Sequence, residues 1–197
     1  MKFLSKLILK LMGWKIVGGV PEGLTKAVVI VAPHTSNWDF FIGRMGYYVL
    51  GLKAKFLIKK EIFVFPFKTI LLKMGGIPIE RSKKTNSVET VAALFQKYDN
   101  LCITVAPEGT RKLNPNWKKG FYYIALRAKV PILLGVIDYK KKEAGLGPMV
   151  YPSGDFEKDF KFIEDFYRPL NGKYPELFSL SEEGQRILNE KKKTENP

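Results

Sequence analysis

Among its 197 residues the chain has one cysteine, Cys102, and one histidine, His34. A single Cys excludes any disulfide within the chain, and one Cys beside one His makes a zinc site a poor fit. Cys102 lies in the apolar run 101–105, which reads as a buried, inert thiol. A chain without disulfides fits a reducing compartment. Acidic residues are scarce as well: 19 Asp and Glu stand against 33 Lys and Arg, for a net charge of +14. That imbalance points to an anionic partner (nucleic acid, an anionic membrane face or an acidic substrate) or, more blandly, to a generally basic surface. No stretch of about 18 uncharged apolar residues occurs, so no membrane-spanning helix is predicted. There is no internal repeat and no low-complexity linker, and the length fits one domain over residues 1–197 with chain enough for a core.

Aromatics, by contrast, reach 13%, with 14 Phe and 9 Tyr. The first fourteen residues read MKFLSKLILKLMGW. Lys2, Lys6 and Lys10 recur every four residues on one helical face, and Phe3, Leu4, Leu7, Ile8 and Leu11 share the other. Residues 1–20 are therefore expected to form an amphipathic segment lying at an anionic membrane surface; a helix packed on the protein's own core is the plainer alternative. A signal peptide fits poorly, because lysines interrupt the apolar run and no small-residue cleavage site follows. The aromatic segment 63–67 is a second possible insertion point, although core is its simpler reading.

Between these ends, short apolar runs alternate with helical patterns. Strands are predicted at 27–32, 55–58, 76–80, 101–105 and 132–137, with a last one opening at Val150 and Tyr151. Helices are predicted at 37–50, 61–74, 85–98, 118–129 and 155–167, with Pro66 as a kink in the second, and the charged tail from 182 is expected to fray. The alternation argues for an α/β fold with a mixed, largely parallel sheet flanked by helices. In such folds sites gather where strands end and helices begin. The mostly apolar helix 61–74 is a candidate wall for an apolar groove.

Two loops meet that description. The first carries Ala32-Pro33-His34-Thr35-Ser36-Asn37-Trp38-Asp39. A lone surface His is most often merely solvated, but here Asp39 falls five residues on, in the first turn of a predicted helix. A carboxylate on one ring nitrogen would fix the tautomer and leave the other to take a proton from a hydroxyl, as in a serine-hydrolase dyad with the substrate supplying the hydroxyl. Ser36, two residues from His34, is poorly placed to be activated by it. The second loop reads Pro107-Glu108-Gly109-Thr110-Arg111. Gly109 permits close approach of a ligand, Arg111 can bind a phosphate through its planar fork, and Glu108 can accept from a ligand hydroxyl or hold Arg111. The bland reading is a polar turn with a local salt bridge. Arg81, ending the strand predicted at 76–80, is a second anion-binding candidate.

These residues carry a resemblance. His34-x-x-x-x-Asp39 resembles the first sequence block of the phospholipid/glycerol acyltransferase family, which includes lysophosphatidic acid acyltransferases. Ile77-Pro78-Ile79-Glu80-Arg81 resembles the second block, Pro107-Glu108-Gly109-Thr110-Arg111 the third and most specific, and Val130-Pro131-Ile132 the fourth. Lys60-Glu61 followed by Pro66 is similar to a segment between the first two, which makes Lys60 a further candidate. The motif-bearing core spans 27–137. The resemblance implies that His34 is a general base oriented by Asp39, and that a lysophospholipid hydroxyl attacks the thioester of an acyl carrier protein or coenzyme A. It implies that Arg81, Glu108, Gly109, Thr110 and Arg111 hold the acceptor's phosphate and glycerol. It implies no bound cofactor and no metal, and a peripheral place on the cytoplasmic face of the membrane. An oxyanion donor is required, with backbone amides near Gly109 as one source.

Departures concern the acceptor more than the chemistry. Pro33 stands where the family often has Asn, and the chain is short and without the spanning helices of many members. A lyso-lipid with an amino-acid headgroup is thus an alternative to 1-acyl-sn-glycerol-3-phosphate, whose acylation gives phosphatidic acid. A non-enzymatic nucleic-acid binder fits the charge but lacks any zinc pattern, RNA-binding signature or basic recognition helix, so no nucleic-acid partner is expected. A thioester hydrolase, with water replacing the lipid hydroxyl, is the remaining rival.

Overall fold

A computed structural model describes residues 1–79 and 87–180. Arg81 and the expected fraying of the tail from 182 lie outside the described residues. Among the described residues seven strands form one sheet in the order β1-β7-β6-β2-β5-β3-β4: β1 (Lys15–Val17), β2 (Lys26–Val31), β3 (Ala54–Lys59), β4 (Gly76–Ile79), β5 (Leu101–Val105), β6 (Ile132–Asp138) and β7 (Glu143–Val150). All neighbours pair in parallel except β6 and β7. The helices are α1 (Lys2–Leu11), α2 (Trp38–Leu50), α3 (Phe67–Lys73), α4 (Ser87–Lys97), α5 (Gly120–Ala128) and α6 (Phe156–Tyr167). The mixed, largely parallel α/β architecture is the one the alternating pattern implied.

The central strands are apolar without alternation because both faces are covered. In β2, Ala27, Val28, Val29 and Ile30 are all buried, as is every residue of β6. One face packs Val28, Ile30 and Ile103 against Phe95 of α4, Phe121 of α5 and Tyr167 of α6. On the other, Ala27, Val29, Cys102 and Leu133 meet Tyr47 of α2. Cys102 is a buried free thiol, its ionisation pushed up by burial.

Three elements differ from the pattern's reading. The expected helix 61–74 is a 3-10 turn, Lys60–Ile62, followed by α3. Pro66 lacks the N–H that a continuous helix needs there and disfavours helical backbone at Phe65. The segment between is not core: Phe65 is 94% and Val64 56% exposed. Strand β1 was too short to read. Strand β7 begins at Glu143 and ends at Val150, instead of opening there. Its Gly145, Gly147 and Pro148 look like a turn, but Gly147 and Pro148 fall where the β6–β7 register shifts, a bulge that tolerates them. Gly145 permits contact with β1, since a Cβ there would sit 1.9 Å from the Val17 carbonyl oxygen.

Helix α1 touches the protein along a narrow stripe, Ser5 and Leu9, with Trp14 just beyond its end. Leu9 and Trp14 share a small core with Ile42, Ile137 and Ala144. The apolar face points outward, Phe3 being 81% and Leu11 78% exposed.

The β1–β7 seam gives a direct check. Gly145→Ala drives a methyl into backbone, an overpacking that costs about 1–3 kcal/mol. The expected result is a melting temperature lowered by roughly 2–4 °C per kcal/mol, measured by circular dichroism, with Gly19→Ala as the comparison at a position where a Cβ meets nothing within 4 Å and the backbone is not left-handed.

Candidate active site

Strand β2 ends at Val31, and the Ala32–Pro33 peptide is cis. The chain then runs through His34, Thr35 and Ser36 into α2. Asn37 makes no side-chain cap. The orphan amides of this turn are served from within it: Asp39 Oδ2 accepts from Ser36 N–H at 2.8 Å, and Ser36 Oγ accepts from Trp38 N–H at 3.2 Å. Asp39 in the first turn also suits the positive end of the helix dipole. This folding-back brings Asp39 Oδ2 to 3.2 Å from His34 Nδ1. Asp39 is buried and His34 partly so, leaving Nε2 as the ring nitrogen not engaged by the carboxylate. The other oxygen, Asp39 Oδ1, accepts the Tyr139 hydroxyl at 2.8 Å. The phenol is pushed far above its usual range by burial and by the carboxylate it donates to, so it stays a donor.

The second loop follows β5, the parallel neighbour of β2. Glu108 turns inward and is 1% exposed. Its Oε1 accepts the backbone N–H of His34 at 2.7 Å, while Oε2 has no partner among the described residues. Burial chiefly, and the nearby Asp39 charge, push this carboxyl up to about 7, against the pull of the His34 amide. Glu108 therefore does not reach into the cavity or hold Arg111, as the pattern suggested; it fastens one loop to the other. Gly109 adopts φ +69°, and a Cβ there would lie 2.7 Å from Lys118 Cε. Asn114 Nδ2 donates to the Glu108 carbonyl at 2.7 Å and Thr110 Oγ1 accepts from Lys112 N–H at 3.2 Å, closing the turn.

Both loops open on one cavity of about 630 Å³, an ordinary size for a small-molecule site. His34, Asp39, Gly109, Thr110 and Arg111 line it, so the structure brings these candidates together. Lys60 does not join them; it lies exposed in its 3-10 turn. The cavity straddles the sheet's edge. Phe40, Gly43 and Tyr47 of α2 line it on one side, and Val88, Val91 and Phe121 of α4 and α5 on the other. These helices, not the segment 61–74, form its apolar walls. Two cavity cations escaped the sequence reading: Lys118, and Arg44, whose Nη1 donates to the Ala54 carbonyl at 3.0 Å. Neither stands in a motif. Tyr139 lies 100 residues from Asp39, a pairing that only the sheet topology reveals. Among the described residues no group of three His, Cys, Asp or Glu is arranged to hold a metal.

The raised Glu108 carboxyl makes stability depend on pH. Its protonated form is favoured in the folded state, so its contribution is full below about 4.5 and is lost as pH rises through about 7. At 1.36 kcal/mol per unit the span is about 3 kcal/mol at most. Urea unfolding of wild type and Glu108→Gln across this window is expected to show their stability difference drifting toward the glutamine variant as pH rises; a constant difference contradicts the assignment.

The acyltransferase family model matches residues 18–137. The chain is 32% identical over 111 residues to the 1-acyl-sn-glycerol-3-phosphate acyltransferase beta of Homo sapiens, covering 53% of this chain and 39% of that protein. It is 28% identical over 133 residues to the 1-acyl-sn-glycerol-3-phosphate acyltransferase of Saccharomyces cerevisiae, covering 62% and 42%. The chain thus spans about two-fifths of the length of these curated relatives. In fold it is similar to the crystal structure of the 1-acyl-sn-glycerophosphate acyltransferase PlsC from Thermotoga maritima, with a TM-score of 0.60 at 18% identity over 85% of this chain and 75% of that one. With the family model covering more than half of its residues, the chain belongs to the acyltransferase family.

Proposed function

We propose that this chain transfers a fatty acyl group from the thioester of acyl carrier protein or coenzyme A to the hydroxyl of a lysophospholipid, with 1-acyl-sn-glycerol-3-phosphate as acceptor and phosphatidic acid as product. The observation that carries the reading is the His34–Asp39 pair at 3.2 Å on the wall of an apolar cavity that Arg111 and Lys118 also line. The acceptor hydroxyl gives its proton to His34 Nε2 while its oxygen attacks the thioester carbon. The tetrahedral adduct then expels the thiolate, which takes the proton back from the imidazolium. Asp39 holds the productive tautomer and stabilises the imidazolium. Arg111 and Lys118 offer counter-charges to the acceptor's phosphate, and the apolar lining suits acyl chains. Relatives named as 1-acyl-sn-glycerol-3-phosphate acyltransferases support that acceptor.

Acceptor and product are lipids, so the enzyme has to meet a bilayer. The reading places it peripherally on the cytoplasmic membrane face, through the outward apolar side of α1 and its flanking Lys2, Lys6, Lys10 and Lys15. Each lysine near an anionic surface contributes about 1 kcal/mol. Exposed Phe65, Val64 and Ile62 offer a second apolar patch.

Purified protein, offered labelled acyl carrier protein or acyl-coenzyme A with lysophosphatidic acid in anionic vesicles, should form phosphatidic acid. His34→Ala should lower kcat/KM by about 10²–10⁴-fold at unchanged folding. Arg111→Ala should raise KM for the phosphate acceptor while sparing kcat. Full activity in His34→Ala sinks the dyad. Equal use of a lyso-amino-acid lipid removes the phosphate acceptor. Acyl release without any acceptor makes the protein a hydrolase.

Vesicle co-sedimentation checks the surface. Leu7→Asp and Phe65→Asp are each expected to weaken binding to anionic vesicles, and raised salt to weaken wild-type binding. Salt-insensitive binding, untouched by either substitution, contradicts the surface assignment.

A further inference from the structure

Asp39 has two oxygens with two tasks. Oδ2 accepts from Ser36 N–H at 2.8 Å and faces His34 Nδ1 at 3.2 Å. The imidazole contact is thus the longer of the two. Oδ1 is held by one donor, the Tyr139 hydroxyl at 2.8 Å. Separate donors on the two oxygens restrain rotation of the carboxylate about Cβ–Cγ, and that rotation decides whether Oδ2 meets the Nδ1–H in line.

Tyr139 is itself held from three sides. It leads the turn between β6 and β7, where Asp138 Oδ1 accepts from the N–H groups of Lys140 and Lys141 at 2.9 and 3.2 Å. Its own N–H donates to the Asn171 carbonyl at 2.9 Å. The Trp14 ring meets its ring edge-on, centroids 5.0 Å apart and planes at 86°. Trp14 is buried in the small core through which α1 is anchored. The hydroxyl is therefore delivered by a rigid turn and a ring clamp, with little rotational freedom left to lose.

We propose that Tyr139 is a positioning residue of the His34–Asp39 pair: by binding Asp39 Oδ1 it fixes the carboxylate plane, and through it the Nδ1–H tautomer and orientation of His34, with the Trp14 ring holding the phenol in place. The role rests on the dyad reading above. It does not require Tyr139 to touch substrate. Removing the hydroxyl leaves Oδ1 without its donor and lets the carboxylate turn away from His34, so the step His34 catalyses slows while acceptor binding is unchanged.

The chain has a single histidine, so the imidazole ¹⁵N spectrum of the protein, freed of any purification tag, reports His34 alone. A held Nδ1–H tautomer gives two widely separated ring-nitrogen resonances, whereas exchanging tautomers draw them together. Wild type is expected to show the separated pair, and Tyr139→Phe a narrowed one with melting close to wild type. In the acyl-transfer assay Tyr139→Phe should lose about 10- to 100-fold in kcat with KM for the lipid acceptor unchanged. A Tyr139→Phe spectrum identical to that of wild type overturns the proposal whatever happens to kcat. So does a loss carried by KM. Should Tyr139→Phe melt below the assay temperature, Trp14→Leu, which keeps the hydroxyl but withdraws the ring contact, should narrow the pair to an intermediate degree; an unchanged spectrum there overturns the proposal equally. The spectrum needs no substrate. Absence of acyl transfer in wild type would therefore count against the proposed function and leave the positioning test standing.

Discussion

A buried carboxylate that accepts one backbone amide joins the two halves of the site. Glu108 Oε1 binds the N–H of His34 at 2.7 Å, and this bond ties the loop after β5 to the loop after β2. Parallel pairing of those strands brings the two loops side by side, but it fixes neither loop's height above the sheet. The Glu108 bond does. It sets the main chain of His34, and the Asp39 carboxylate then sets its ring. Arg111 and Gly109, next along the same turn, reach the cavity because Glu108 has turned away from it. The arrangement has a cost, since a carboxyl driven up to about 7 by burial is held at the expense of solvation. Buried groups of this kind are common where geometry has been bought with stability.

Much of this was legible in the residues. The unbroken apolar runs of β2 and β6 required a sheet covered on both faces, and the helix patterns between them required parallel crossovers. The His34 and Asp39 spacing needed only a strand-to-helix turn to become a contact. What the sequence hid falls into three kinds. β7 was masked by Gly145, Gly147 and Pro148, whose turn-like chemistry serves a close strand approach and a bulge. Helix 61–74 looked continuous because apolar periodicity says nothing about the N–H that Pro66 lacks. Tyr139, Lys118 and Arg44 stand in no motif, and their roles come from which strands are neighbours. Glu108 was found, but with the wrong orientation: its residue type suits ligand binding and loop fastening alike, and only its burial separates the two.

The same architecture links the surface to the site. Helix α1 spends only Ser5 and Leu9 on the protein and keeps its broad apolar face outward. Its end carries Trp14, which packs against Tyr139, which in turn binds Asp39. The cavity takes its apolar lining from α2 on one face of the sheet and from α4 and α5 on the other. Arg111 and Lys118 lie on the loop between β5 and α5, and Arg44 lies on α2. The proposed amphipathic acceptor would find both kinds of surface within one cavity.

The most direct test of the account is a crystal structure with lysophosphatidic acid and a non-reactive thioether analogue of the acyl donor. The account predicts the acceptor hydroxyl within about 2.6–3.2 Å of His34 Nε2, its phosphate beside Arg111 and Lys118, and the acyl chain along the apolar lining of the cavity. An acceptor bound with its hydroxyl remote from His34, or with its phosphate away from both cations, would contradict it.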